Sequence, residues 1–138
     1  MVTIGAERQL LTAGHCGDVG DEWFHGPSGI YFAEQFGFME AQQEAGRVDA
    51  ARITVGNTFT AQALIYRQHD TKNWGVWSKG NWSSLVYGDN ICKSGAVTGR
   101  TCGQMYSKYV SINYIPNSNR FVGVNMCSIE GDSGSGVY

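Results

Sequence analysis

Short apolar runs alternate with polar and glycine-rich segments along most of the chain. The segment Val48–Val55, with the sequence VDAARITV, is typical of a β-strand. Val2–Ile4 and residues 10–12 flank a polar connection and predict a hairpin that ends just before His15. Further strands are predicted at residues 30–33, 36–39, 58–66, 75–77, 91–92, 101–102, 109–114 and 120–127. Strands at such short intervals, without a long helical pattern, predict an all-β barrel or sandwich.

Two segments interrupt this pattern. Residues 40–45, with the sequence EAQQEA, have high helix propensity but are too short to form a stable helix alone. We therefore expect a loop or a single helical turn there. The polar stretch at residues 69–73 predicts a connection between two halves of the protein, residues 1–68 and residues 69–138.

The composition narrows the class of protein. Of 138 residues, 42% are hydrophobic and 16% are charged, as in a soluble globular protein, and 19 glycines favour tight turns between short strands. The net charge is -2 and no basic run is present, so we expect no nucleic-acid partner. No stretch approaches the roughly 20 apolar residues of a membrane span, so we expect no membrane partner. Because no signal peptide precedes the first strand, we expect that a targeting segment has been removed or that the natural start lies upstream.

The chain has four cysteines, Cys16, Cys92, Cys102 and Cys127. Four cysteines permit three complete pairings, and the sequence alone does not choose among them. No pair has the Cys-x-x-Cys spacing of a zinc site, so we expect no metal. Disulfide bonds in an exported protein are the better interpretation.

Three short strings supply the residues of a possible catalytic set. TAGHC contains His15, VDAA contains Asp49, and GDSG contains Ser133. The order histidine, aspartate, serine is that of chymotrypsin-type enzymes, whereas subtilisins and α/β-hydrolases use other orders. The serine string also lacks the Gly-x-Ser-x-Gly spacing of the hydrolase elbow, because Ser135 stands at the second glycine position.

The chemistry explains why these residue types belong together. A serine hydroxyl needs a base to take its proton, which His15 can do for Ser133. A carboxylate, here Asp49, fixes the tautomer of the imidazole and stabilises its charged form. Gly131 allows a tight turn, so that the amides of Gly131 and Ser133 can converge on the oxyanion.

Each string has an ordinary explanation when it is taken alone. GDSG is a plausible turn, and a histidine beside a cysteine is more often structural than catalytic. Only the three strings together, in this order, are specific for a catalytic triad. His25 and His69 have no comparable context, and we expect both to be exposed loop residues.

With these motifs, the chain resembles the bacterial chymotrypsin-like proteases of the streptogrisin and α-lytic protease group over nearly its whole length. TAGHC matches the histidine motif of that group, and residues 90–103 resemble its cysteine-bounded hairpin. Cys127 lies six positions before Ser133, a spacing similar to that of the bacterial group. The resemblance implies a double antiparallel β-barrel, a secreted monomer, polypeptide substrates and no cofactor.

The resemblance also implies a disulfide bond between Cys92 and Cys102. It implies partners for Cys16 and Cys127 that this sequence does not contain, and further strands and a helix after the serine. We therefore expect a chain cut at both ends, with its first strand partial and its C-terminal strands and helix missing. A bridge between Cys16 and Cys127 is the alternative.

Bacterial members of the group tend to pair an arginine just after the first hairpin cysteine with the aspartate before the serine. Lys93 occupies that position here and is expected to pair with Asp132, although lysine lacks the planar, two-pronged guanidinium. An exposed lysine is the alternative.

The sequence thus predicts a serine endopeptidase that hydrolyses peptide bonds through an acyl-enzyme. The alternative is a non-catalytic, protease-like module that binds a protein. A cysteine protease of the same fold is excluded, because serine stands at the nucleophile position.

Overall fold

Antiparallel strands make up most of the computed structural model. It describes residues 2–4, 7–25, 34–45, 48–60, 62, 64–67, 72–76, 78, 80–113 and 121–138. The strands are β1 (Val2–Ile4), β2 (Glu7–Thr12), β3 (Glu22–His25), β4 (Glu34–Ala45), β5 (Val48–Val55), β6 (Leu64–Arg67), β7 (Lys72–Gly75), β8 (Asn90–Gly95), β9 (Gly99–Val110), β10 (Phe121–Val124) and β11 (Gly136–Val137). Two 3-10 helices span Gly14–Cys16 and Trp82–Ser84. Among the residues described, no helix is long and apolar enough to cross a membrane.

The chain divides into two compact units. The first contains residues 1–44 and 48–62, and the second contains residues 45–47 and 63–138. The division after residue 62 falls six positions before the boundary expected from the sequence. The first unit carries His15 and Asp49, and the second carries Ser133.

The first unit is a five-stranded sheet in the order β1-β2-β5-β4-β3. The predicted strand Val48–Val55 is confirmed as β5, and the predicted hairpin near the start of the chain is β1 and β2. Alternate residues of β5, Ala51, Ile53 and Val55, are buried, as the period of two along a strand requires. Met39 on β4 completes this core with no exposed surface.

The second unit contains a four-stranded sheet in the order β10-β9-β8-β11 and a separate hairpin of β6 and β7. Its core includes Ile91, Cys92 and Met105. A disulfide bond joins Cys92 to Cys102, which lie directly opposite each other on β8 and β9. This is the bond that the resemblance implied.

The prediction for residues 40–45 was wrong. These residues are the last six of β4, a continuous strand of 12 residues. Their helix propensity is overridden because they continue β4, which neighbours β5 in the sheet, so the backbone hydrogen bonds of the strand are made across strands.

Several other strand predictions were misplaced. Residues 56–60 form a turn, closed by a hydrogen bond from Phe59 N to Gly56 O, and the predicted strand over 58–66 begins only at Leu64. Residues 72–73, expected in a connection, belong to β7, which ends at Gly75. β9 ends at Val110 and β10 at Val124, short of their predicted ends. The predictions for residues 30–33 and 69–71 lie outside the described residues.

A repeated turn, invisible as a sequence repeat, is present in both units. In the first unit, Gly20 N donates to Met39 O at 2.8 Å and Met39 N donates to Asp21 O at 2.9 Å. In the second unit, Gly88 N donates to Met105 O at 2.9 Å and Met105 N donates to Asp89 O at 2.9 Å. In each unit the aspartate side chain also accepts a backbone N–H three residues earlier, at 2.8 Å. A 3-10 helix precedes the turn and a strand follows it in both units.

Removing the Cys92–Cys102 bond is expected to destabilise the second unit. For a closed loop of this size, with a sequence separation of 10, the loss is about 2–3 kcal/mol in the free energy of unfolding. Urea denaturation of the Cys92→Ala/Cys102→Ala double variant measures it. Cys127→Ser, which changes an exposed free thiol, is the control and should cost less than about 0.5 kcal/mol. Equal midpoints for the wild type and the double variant would contradict the expectation.

Candidate active site

His15 and Asp49 form a close pair in the first unit. His15 Nδ1 lies 2.8 Å from Asp49 Oδ2, and the backbone N–H of His15 donates to Asp49 Oδ1 at 3.1 Å. The carboxylate therefore holds both the ring and the main chain of the histidine. Because a carboxylate only accepts hydrogen bonds, Nδ1 carries the proton and Nε2 is the basic nitrogen of the neutral ring.

Local structure brings these two residues together. β2 ends at Thr12, and the chain enters the 3-10 helix Gly14–Cys16, in which Cys16 N donates to Ala13 O at 3.3 Å. Asp49 is the second residue of β5, which pairs with β2. The Asp49 side chain is 11% exposed, whereas the His15 side chain is 37% exposed. The imidazole thus keeps a face toward solvent while its orienting carboxylate is largely covered.

Ser133 lies in a turn of the second unit that glycines make possible. Gly131 has φ 92°, in the left-handed region that favours glycine. A Cβ added to Gly131 would lie 2.6 Å from Cγ2 of Val97, so a side chain there would also collide with the β8–β9 hairpin. Ser133 itself is exposed.

The carboxylate of Asp132 is the buried centre of this turn. Its Oδ2 accepts from Lys93 Nζ and from Thr98 Oγ1, each at 2.6 Å. Its Oδ1 accepts from the backbone N–H groups of Val97 and Thr98, each at 3.0 Å. The amide of Ile129 adds a longer bond to Oδ2 at 3.3 Å.

These contacts determine the charge state of the site. The side chains of Lys93 and Asp132 are 7% and 1% exposed, so each charge has its principal compensation in the other. The ammonium group of Lys93, followed by the hydroxyl and amide of Thr98, holds the pKa of the Asp132 carboxyl far below its usual range. Burial acts in the opposite direction and is outweighed.

Lys93 stands where the proteases that the chain resembles tend to have an arginine, so an ammonium point charge takes the place of a planar guanidinium. Thr98 supplies an additional hydrogen-bond donor to the Asp132 carboxylate and so compensates for part of the missing guanidinium donors. Lys93 Nζ donates to Thr98 Oγ1 at 2.6 Å, and the Thr98 hydroxyl in turn donates a hydrogen bond to the carboxylate. The sequence pattern predicts no role for Thr98. The only available signal was its place in the turn between β8 and β9, five residues after Lys93.

The remaining singled-out residues lie elsewhere. His25 ends β3, rather than lying in a loop as expected, and it is exposed, with Nε2 3.3 Å from Glu34 Oε2. His69 lies outside the described residues. Cys16 and Cys127 carry free thiols, so the alternative bridge between them is absent. In the part of the chain that the structure describes, no three or more His, Cys, Asp or Glu residues are grouped to hold a metal ion.

Replacing Asp132 with asparagine is expected to destabilise the protein most at neutral pH. A carboxyl with a lowered pKa stabilises the folded state fully above the ordinary aspartate pKa of about 3.9, and this stabilisation is lost as the pH falls further. The difference in urea midpoint between the wild type and Asp132→Asn should therefore shrink between neutral pH and about pH 2. A difference that stays constant over that range would contradict the assigned charge state.

Comparison with characterised proteins identifies relatives of the chain. It is 34% identical over 136 residues to serine protease 1 of Rarobacter faecitabidus, a match that covers 94% of this chain and 24% of the relative. It is 30% identical over 136 residues to streptogrisin-C of Streptomyces griseus, covering 96% of this chain and 27% of the relative. The chain thus spans about a quarter of the length of these two proteins. No family model matches the chain.

The fold agrees with the sequence relatives. A glutamic-acid-specific serine protease of known structure superposes with a TM-score of 0.81 at 24% identity, covering 99% of this chain and 68% of the other. The expected chymotrypsin-like β-barrel fold is therefore confirmed, in partial form. By sequence and by fold together, the chain is related to the bacterial chymotrypsin-like serine proteases.

Proposed function

We propose that this chain carries the catalytic triad of a serine endopeptidase, with His15 as base, Asp49 as orienting acid and Ser133 as nucleophile. The observation that carries the proposal is the double hold of Asp49 on the ring and backbone of His15, at 2.8 and 3.1 Å. A histidine with only a surface role has no need of a largely covered carboxylate bound to both its ring and its backbone. The names of the relatives support the same class of reaction.

His15 performs two proton transfers in this mechanism. Nε2 first takes the proton of the Ser133 hydroxyl as the oxygen attacks the carbonyl carbon of the scissile peptide bond. The imidazolium then gives that proton to the leaving amine as the carbon–nitrogen bond breaks. Asp49 stabilises the imidazolium and keeps Nδ1 protonated throughout.

The turn around Ser133 supplies the oxyanion donors. The amides of Gly131 and Ser133 donate to the oxygen that becomes negative in the tetrahedral intermediate. Asp132, the residue between these two amides, is held by four hydrogen bonds of 3.0 Å or less, from the side chains of Lys93 and Thr98 and from the amides of Val97 and Thr98. Donors fixed in this way need no reorganisation during the reaction.

The setting of the reaction is part of the same proposal. We propose that the protein acts outside the cell, as a monomer, on polypeptide substrates and without a cofactor. The Cys92–Cys102 disulfide supports an oxidising compartment. The relatives are bacterial proteases, which supports polypeptide substrates.

Ser133→Ala in the product of the complete gene is expected to abolish covalent labelling by a fluorophosphonate probe, because the probe requires an activated serine oxygen. Gel fluorescence after incubation with the probe measures this. Ser128→Ala, an exposed serine of the same loop, is the matched control and should label like the wild type. Labelling of Ser133→Ala at the wild-type rate would reject the assignment, and an unlabelled wild type would favour the protein-binding alternative.

Asp49→Asn is expected to lower kcat by about four orders of magnitude, because an amide favours the wrong imidazole tautomer. Hydrolysis of a chromogenic peptide near neutral pH measures the loss. Asp18→Asn, which changes an exposed carboxylate of the same unit, should retain full activity. A loss below about tenfold in Asp49→Asn would contradict the orienting role.

A further inference from the structure

A polar cluster lies on one face of the first sheet, away from His15. Gln9 on β2 is 1% exposed, which is rare for an amide side chain. Its Nε2 donates to Glu40 Oε2 at 3.0 Å, and its Oε1 accepts from Arg52 Nη1 at 3.4 Å. Thr54 Oγ1 donates to the same Glu40 oxygen at 3.1 Å, and Arg52 Nη2 lies 3.7 Å from it. We call Gln9, Glu40, Arg52 and Thr54 the Gln9 clamp.

The clamp joins three adjacent strands through one carboxylate oxygen. Gln9 comes from β2, Arg52 and Thr54 from β5, and Glu40 from β4. A buried amide that lost its partners would cost a full desolvation penalty, so the cluster strongly favours one arrangement of these strands. Charged groups on two of the three strands strengthen that preference.

The register that the clamp favours is also the register that places Asp49 beside His15. Gln9 lies directly opposite Thr54, and the ladder continues to Thr12 opposite Ala51. Asp49 follows at the end of this ladder, two residues from Ala51 along β5. A slip of two residues would move Asp49 by about 6–7 Å along the strand and break both of its bonds to His15.

β4, the third strand of the clamp, contacts the residue that precedes His15. A Cβ added to Gly14 would lie 2.8 Å from Gln43 O and from Glu44 Cγ, and 2.9 Å from Asp49 Oδ1. The end of β4 therefore packs tightly against the residue that precedes His15. Glu40 anchors β4 three residues before this contact.

We propose that the Gln9 clamp is a positioning device for the His15–Asp49 pair, a role that rests on the proposed function. No clamp residue touches the reacting atoms. The clamp sets the relative position of β2, β4 and β5, and these strands deliver His15, its neighbour Gly14 and Asp49. Loosening it lowers the rate of the chemical step with little effect on substrate binding.

Two variants test the clamp in the product of the complete gene. Gln9→Met keeps the shape of the side chain and removes both of its hydrogen bonds. Thr54→Val is milder, since it removes one donor to Glu40 and keeps a β-branched side chain suited to a strand, so folding is preserved. Gln35→Met is the matched control, because it is also a glutamine-to-methionine substitution but lies at an exposed position of β4.

Four quantities are measured for each variant: kcat and KM for peptide hydrolysis, the fluorophosphonate labelling rate, and the downfield proton resonance of the His15 Nδ1–H···Asp49 hydrogen bond. A misplacement of about 1 Å can cost on the order of a hundredfold in rate. We expect kcat to fall about tenfold in Gln9→Met and about threefold in Thr54→Val, with KM changed less than about twofold. The resonance should broaden or shift in the same order, while Gln35→Met matches the wild type.

Each outcome is decisive. Wild-type kcat and an unchanged resonance in folded Gln9→Met and Thr54→Val would overturn the positioning role. A rise in KM with kcat intact, or an equal loss in Gln35→Met, would overturn it as well. If the wild type neither hydrolyses peptides nor reacts with the probe, the proposed function fails, and the resonance alone then decides whether the clamp positions His15.

Discussion

The burial of the Asp132 carboxylate is the constraint on which the Ser133 turn depends. A charge that is removed from water must be matched by donors, and here the donors come from β8, from the turn that follows it and from the segment before Asp132 itself. Those three pieces of chain can therefore move only together. The exposed serine next to Asp132 takes its position from a network whose two charged groups, Lys93 and Asp132, are buried.

The first unit contains a network of a different kind. There the central groups are a neutral buried amide, Gln9, and a carboxylate, Glu40, that is 38% exposed. Water can solvate one side of that network, so it tolerates local movement better than the fully enclosed pair of Lys93 and Asp132. In the first unit the network follows the strand register, whereas in the second unit the Ser133 turn is held by a compensated charge.

The sequence predicted those parts of the fold that follow from local pattern. The strand prediction for Val48–Val55 was correct because apolar residues that become buried, Ala51, Ile53 and Val55, stand at alternate positions of the sequence. The prediction for residues 40–45 was wrong because nothing local reveals that a helix-prone segment will continue a strand that neighbours β5. The sequence did not predict that Asp21 and Asp89 lie in similar turns, one in each unit. Backbone hydrogen bonds to methionines far along the chain define these turns.

The residues of the candidate site also divide into those that a local sequence pattern predicts and those that it does not. His15, Asp49 and Ser133 stand in recognisable strings, so their types and order were accessible from the sequence. The contributions of Thr98 and Gln9 could not be predicted from the sequence, because each residue bonds to a partner more than 30 positions away. Thr98 bonds to Asp132, and Gln9 bonds to Glu40. Hydrogen bonds over such separations leave no periodicity in a single sequence.

The recurrence of methionine at the centre of both units has a chemical consequence. Met39 and Met105 are buried to within 2% of complete coverage, so a dissolved oxidant reaches either sulfur only when the surrounding unit opens. A sulfoxide formed at that moment is polar and opposes reclosure of the apolar interior. Peroxide exposure followed by peptide mass analysis therefore distinguishes opening of the two halves, without any introduced label.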